Sequence, residues 1–182
     1  MSLILAFSCL HLATPDIAEY LHGAAEYPLD ELVRLAYKAD IVISLGDFSE
    51  PLYCEPEQLR LLFKDFITGL ASNSKQLVML NGNHEKYGHP YSEWFPTAYH
   101  GDSFEKDGYK FVHGHQGYPN VASRSDRNEY VKTIRDHFSQ SNTIYGHTHE
   151  PMVGAGFMDV GSVTYSRTVG WCKDGNLSIE RL

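Results

Sequence analysis

Residues 77–85 read Leu-Val-Met-Leu-Asn-Gly-Asn-His-Glu, and the fold is decided there. Gln76–Leu80 is short and mostly apolar, as a strand buried on both faces is. It runs straight into Asn81-Gly82-Asn83-His84-Glu85, a turn of groups that hold metals and move protons. An α/β sheet presents its chemistry in such turns, at the carboxyl ends of its strands. Four further segments repeat the pattern: Leu3–Phe7 leads into Cys9-Leu10-His11, Ile41–Leu45 into Gly46-Asp47, Tyr109–Val112 into His113-Gly114-His115, and Thr143–Tyr145 into Gly146-His147-Thr148-His149.

The 182 residues, 42% hydrophobic and 21% charged, suit one globular domain spanning 1–182. The net charge of −8 argues against salt-driven binding along a nucleic-acid backbone. It leaves room for a small phosphorylated substrate, because bound metal supplies local positive charge. Cys9, Cys54 and Cys172 are odd in number and widely spaced, which speaks for a reducing, cytoplasmic setting and against a disulfide framework. Met1–Phe7 reads as a first strand and not a signal peptide, and no stretch approaches the ~20 apolar residues of a membrane span.

In chain order, Cys9–Thr14 reads as a polar loop, and Asp16–Leu21 and Asp30–Ala39 as helices, the latter with Leu29, Leu32, Val33 and Ala36 on one face. Strand, helix, strand implies a right-handed parallel crossover. Pro56 opens one long amphipathic helix whose core face is Leu59, Leu62, Phe63, Phe66, Ile67 and Leu70. The span 84–100 carries Tyr87, Tyr91, Trp94, Phe95 and Tyr99 among breakers; these rings either wall a substrate site or cover the core. Asp107-Gly108 turns a hairpin between Ser103–Lys106 and Tyr109–Val112, where the pattern moves from parallel units to antiparallel strands. Asp126–Phe138 is helical, with Asp126 and Glu129 as a cap pair. Short strands follow at Asn142–Tyr145, Phe157–Val160, Thr164–Trp171 and Leu177–Arg181, the last after an Asp174-Gly175 turn.

Six of the ten histidines sit in the strand-end motifs: His11, His84, His113, His115, His147 and His149. A lone histidine is usually structural. Pairs at i, i+2 in glycine-containing turns, beside Asp and Asn at other strand ends, are harder to explain by packing. Imidazole and carboxylate donors suit Mn, Fe or Zn. Asp47 has two oxygens with which to bridge two ions, and Asn83 offers a neutral oxygen. His147 and His149 stand two residues apart in one turn, and each could serve a different ion.

Taken in order, His11, Gly46-Asp47, Gly82-Asn83-His84-Glu85, His113-Gly114-His115 and Gly146-His147-Thr148-His149 resemble the motif set of the calcineurin-like metallophosphoesterases, over residues 9 to 149; the Gly161-Ser162 turn is similar too. The resemblance implies an α/β fold, a four-layer sandwich of two mixed β-sheets flanked by helices, and a site for two divalent metal ions. One ion would take Cys9 or its neighbourhood, His11, Asp47 and His149; the other Asp47, Asn83, His113 and His147. His84 would be the catalytic group that stabilises the transition state or protonates the leaving oxygen, with hydroxide held by the ions attacking phosphorus in line.

Two departures from the family pattern matter. Cys9 stands where the family has Asp in its first motif; it is either a soft thiolate ligand or a small buried residue. The arginines that hold phosphate in the Ser/Thr phosphatases of this superfamily are missing: Glu50-Pro51 follows Asp47, and Asn81 precedes Gly82. That favours the small prokaryotic-type phosphoesterases. Glu50 either orients His84 or is an exposed turn acid. His115 either lines the pocket or belongs to the turn. The expected activity is metal-dependent hydrolysis of a phosphate ester, more naturally a diester. The rivals are a monoesterase acting on a small metabolite or nucleotide, a catalytically weak scaffold that keeps the metal site, and a nuclease, which the net charge opposes.

Overall fold

The computed structural model describes residues 2–23, 26–85, 91–117 and 127–182. Eleven strands and six helices are seen among them. Strands β1 (Ile4–Phe7), β2 (Ile41–Ser44), β3 (Leu77–Leu80) and β4 (Tyr99–Gly101) lie parallel in one sheet, and β10 (Thr168–Lys173) and β11 (Asn176–Arg181) extend it antiparallel beyond β1. The second sheet runs β5 (Ser103–Lys106), β6 (Tyr109–Val112), β7 (Thr143–Tyr145), β9 (Phe157–Asp159) and β8 (Met152–Gly154).

Alternation along the strands explains the layers. In β1 to β3, Ile4, Ala6, Ile41, Ile43, Val78 and Leu80 face the second sheet, where they meet Phe111, Ile144 and Met158. The intervening Leu5, Phe7, Val42, Leu77 and Met79 point the other way, into a core closed by helices α1 (Pro15–His22), α2 (Leu29–Ala36), α3 (Pro56–Leu62), α4 (Lys64–Asn73) and α5 (Tyr91–Trp94). On the outer face of the second sheet, α6 (Arg127–Phe138) sets Ile134 and Phe138 against Val112, Tyr145 and Phe157. The result is helices, sheet, sheet, helix, so the central strands are apolar on both faces. Both Asp-Gly turns carry positive φ at each residue, Asp107 +51° with Gly108 +83° and Asp174 +52° with Gly175 +81°, the backbone a two-residue hairpin requires.

Several expectations change. The helix from Pro56 is broken at Phe63, whose ψ of +22° leaves the helical range. No single apolar stripe runs through both pieces: Leu62 is 49% exposed while Leu59, Phe66, Ile67 and Leu70 are buried. Residues 9–13 are no polar loop: all five are buried, and Leu12 bridges to Ser49. The second half is not simply antiparallel, since β6, β7 and β9 are parallel and only β5 and β8 run against them. The strand expected at Thr164–Trp171 begins at Thr168. Tyr91, Trp94 and Phe95 pack around Phe48 and cover the core; of the other aromatics of that span, Tyr99 is 46% exposed and Tyr87 lies outside the described residues. Asp126 also lies outside them, and with it the expected cap pairing to Glu129.

Candidate metal centre

Five loops meet at the carboxyl ends of β1, β2, β3, β6 and β7. Backbone hydrogen bonds stitch them side by side beyond the sheets: Cys9 N to Gly46 O and His11 N to Asp47 O, both 3.0 Å, and Gly146 N to His113 O, 3.0 Å. The approach is close enough to require glycine. A Cβ on Gly46 would lie 2.4 Å from Gly82 N, and one on Gly82 would lie 2.2 Å from Asp47 Oδ1. Many of the functional side chains sit on left-handed backbone: Cys9 (φ +52°), His11 (+50°), Asp47 (+53°), His147 (+70°) and His149 (+61°). For L-residues that conformation is strained and clusters at working sites.

Glu85 fixes the centre from behind. Its buried carboxylate accepts the backbone N–H of Asp47 (2.9 Å), Phe48 (2.8 Å) and Gly82 (2.6 Å). Asp47 Oδ1 in turn accepts the His84 N–H at 2.9 Å. Around the other oxygen, His113 Nε2 lies 3.0 Å from Asp47 Oδ2, 3.2 Å from Asn83 Oδ1 and 3.0 Å from His147 Nδ1. Four groups from four loops thus converge on one point. The far nitrogens of both rings are tied: His113 Nδ1 donates to Leu45 O at 3.0 Å, and His147 Nε2 meets the Tyr130 hydroxyl.

The second convergence joins Cys9, His11 and His149, whose donor atoms all lie within 4.8 Å of one another; Cys9, Asp47 and His113 do the same. Cys9 Sγ therefore stands between the two sets. His11 Nδ1 bonds Glu50 Oε1 at 2.6 Å, while its buried Nε2 finds no hydrogen-bond partner among the described residues. Tyr165 stacks on His149 with 4.4 Å between ring centroids.

Electrostatics follow the geometry. Burial opposes the charge on Asp47, but His113 outweighs it and holds the carboxyl well below the usual carboxylate range. Burial likewise opposes the charge on Glu50, and the hydrogen bonds from His11 and His84 bring its value down to about 2. His84 Nδ1 lies 3.0 Å from Glu50 Oε2; burial disfavours its charged form, yet that hydrogen bond and Asp47 raise its proton affinity. For His113, too, burial is outweighed by Asp47, and its affinity for a proton is raised. Burial and the neighbouring His113 push His147 well down, and burial with His11 brings His149 to about 3 and His22 to about 4. Burial raises the Cys9 thiol, so a metal there must expel a proton.

The donor set fits divalent cations: imidazoles, a carboxylate, an amide oxygen, a thiol and an inward ring nitrogen with no hydrogen-bond partner among the described residues. Beside it opens a cavity of about 470 Å³, lined among others by Asn83, His84, Glu50, Tyr53, Tyr130 and Tyr165. Arg127 is the cavity's Lys or Arg among the described residues, and it already touches Glu150 Oε1 at 3.3 Å and Thr148 O at 3.4 Å.

All nine residues anticipated from sequence meet here: Cys9, His11, Asp47, Glu50, Asn83, His84, His113, His147 and His149. Glu50 is 2% exposed and spans His11 and His84, so it is no surface turn acid. His115 borders a neighbouring hollow with Asn81 and Asp102. Sequence reading missed Glu85 as an anchor, and His22, Tyr130 and Tyr165 as part of the wall. Glu85 alone carried a signal, being the last member of the quoted turn.

The pattern of the calcineurin-like phosphoesterase family matches residues 2–178. No curated protein matches the chain. Among solved structures, the nuclease MPE of Pseudomonas putida is similar at 16% identity and TM-score 0.53, covering 97% of this chain and 87% of its own. Yfce, a phosphoesterase from E. coli, is similar at 16% identity and TM-score 0.51, covering 98% and 92%. A predicted phosphoesterase from Streptococcus pneumoniae covers 98% and 87% at 15% identity and TM-score 0.45. At these identities the likeness to the first two speaks for the fold.

Proposed function

The chain belongs to the calcineurin-like phosphoesterase family, whose members hydrolyse phosphoesters with metal, and on that premise we propose a two-cation phosphodiesterase acting on a small substrate. The supporting observation is the double convergence on Asp47. Asn83, His113 and His147 would hold one divalent ion with it; Cys9, His11 and His149 would hold the other. Bound cations supply positive charge for the phosphoryl oxygens and acidify the attacking water.

The chain's own groups do the rest. Glu85 fixes the turns that carry Asp47 and Asn83, so the donors are set before substrate arrives. His84 faces the cavity with its Nδ1 held by Glu50, leaving Nε2 to give a proton to the departing oxygen. In the metal-free chain Glu50 and Asp47 raise its proton affinity, the direction a general acid needs. The diester preference rests on charge. A monoester carries about two negative charges and a diester one, and the guanidinium that reaches the cavity is already engaged.

The test is hydrolysis of bis-p-nitrophenyl phosphate and p-nitrophenyl phosphate by protein loaded with Mn²⁺, Fe²⁺ or Zn²⁺. Turnover of the diester above the monoester is expected, with His84→Ala losing roughly 10²–10⁴-fold in kcat while keeping its metal. No turnover with any of these metals would overturn the enzyme reading, and faster monoester hydrolysis would overturn the diester preference.

A further inference from the structure

His22 takes no part in the reaction just outlined, yet it is built into the wall of the same cavity. It closes the last turn of α1, and its side chain is only 4% exposed. The Tyr165 hydroxyl meets its Nδ1, while its Nε2 has no hydrogen-bond partner among the described residues. A buried polar atom in that position calls for an explanation. Nε2 is directed at Glu50 Oε1 from 3.6 Å, too far for a hydrogen bond. The His11 ring lies beside both, its centroid 5.3 Å from that of His22. One donor atom from each of His11, His22 and Glu50 falls within 4.8 Å of the others.

This spacing matches what two ligands of one cation require. Two ligands each ~2.0–2.2 Å from zinc in a tetrahedral arrangement are roughly 3.3–3.6 Å apart, and the His22–Glu50 pair is 3.6 Å apart. Glu50 Oε1 accepts from His11 along one direction and has a second lone pair to offer on the side of His22.

We propose a third, outer cation position, held by His22 Nε2 and Glu50 Oε1 at the rim of the inner group, which fills at excess metal and slows hydrolysis. Two protein donors hold an ion more weakly than three or four, so the inner ligands fill first. The same carboxylate that would take the outer ion supports His84 through its other oxygen, at 3.0 Å. A cation on Glu50 therefore competes with His84 for that negative charge. Only this effect on rate rests on the hydrolase reading; the binding does not.

Zinc titration of protein carrying ¹⁵N-labelled histidine tests the binding directly. His22→Phe identifies the His22 signals and removes the donor while keeping a ring between His11 and Tyr165. The His22 signals are expected to stay in place over the first equivalents and to move as zinc is added in excess. Signals that never move would overturn the proposal. In a parallel assay of bis-p-nitrophenyl phosphate hydrolysis, the wild-type rate should rise and then fall several-fold with zinc. His22→Phe should keep the rise and lose the fall; an equal fall in the variant would refute the inhibitory role. Should the wild type show no hydrolysis at all, the hydrolase reading fails and the histidine signals still decide the outer site. His22→Gln, which keeps a polar contact for Tyr165, replaces the Phe variant if that one does not fold.

Discussion

Glu85 offers the sharpest test of how the centre is held. The residue is 9% exposed, and its carboxylate accepts three backbone N–H groups, from Asp47, Phe48 and Gly82. In Glu85→Gln, one oxygen can still accept from Asp47 and Gly82. The amide N–H₂ then faces the Phe48 N–H, so one bond is lost and two donors are set against each other. A lost bond to a charged group with a buried donor left over is worth roughly 1–3 kcal/mol. Glu85→Ala loses all three. Water entering the space returns part of the loss, so about 3–5 kcal/mol is expected, a large share of the ~5–15 kcal/mol that holds a domain together. Urea unfolding of metal-free protein measures both values from the midpoints at constant slope. Because Asp47 and Asn83 flank the anchored backbone, metal affinity should fall in the same order, wild type above Gln above Ala. A Glu85→Ala protein that unfolds within ~0.5 kcal/mol of wild type and binds zinc equally well would refute the anchoring role.

Other consequences can be checked alongside. Cys9→Asp should raise metal occupancy at the His11–His149 set at neutral pH, because it removes a thiol whose proton burial holds tightly; unchanged stoichiometry by elemental analysis would take Cys9 out of the centre. In wild type the affinity of that set should increase with pH, by up to about tenfold per pH unit while one proton is expelled, read by zinc competition against a chelator. Gly82→Ala should abolish metal binding or the fold, since its Cβ would lie 2.2 Å from Asp47 Oδ1; full zinc binding by a folded variant would count against the packing described. Glu50 is held at about 2, below its ordinary 4.5, so its contribution to metal-free stability is fully present above pH 4.5 and is lost as pH falls toward 2. Glu50→Gln should therefore flatten the acid limb of an unfolding-against-pH curve, and a limb of unchanged steepness would contradict this.

Much of the centre was legible because its chemistry is local. Each donor follows an apolar strand by one to four residues, and within each sheet the carboxyl ends of the parallel strands lie together. The helix from Pro56 was misread because an i, i+3, i+4 pattern continues across Phe63 in sequence while the backbone does not. Strand β4 was missed because its residues are exposed or half-buried and carry no buried alternation. The walls were illegible for another reason. His22 and Tyr165 are 143 residues apart and meet only through the closure of the fold. Likewise, nothing in the spacing of Tyr130 on α6 announces a hydroxyl against His147.

Five of the centre's donor side chains hang on backbone wound to the left, at Cys9, His11, Asp47, His147 and His149. Glycine would rest there more comfortably, by roughly 1 kcal/mol at each position. Selection for heat resistance alone would thus strip this molecule of its donors first. Variants hardened in that way should emerge sturdier and inert, and only a demand for turnover would keep the awkward residues in place.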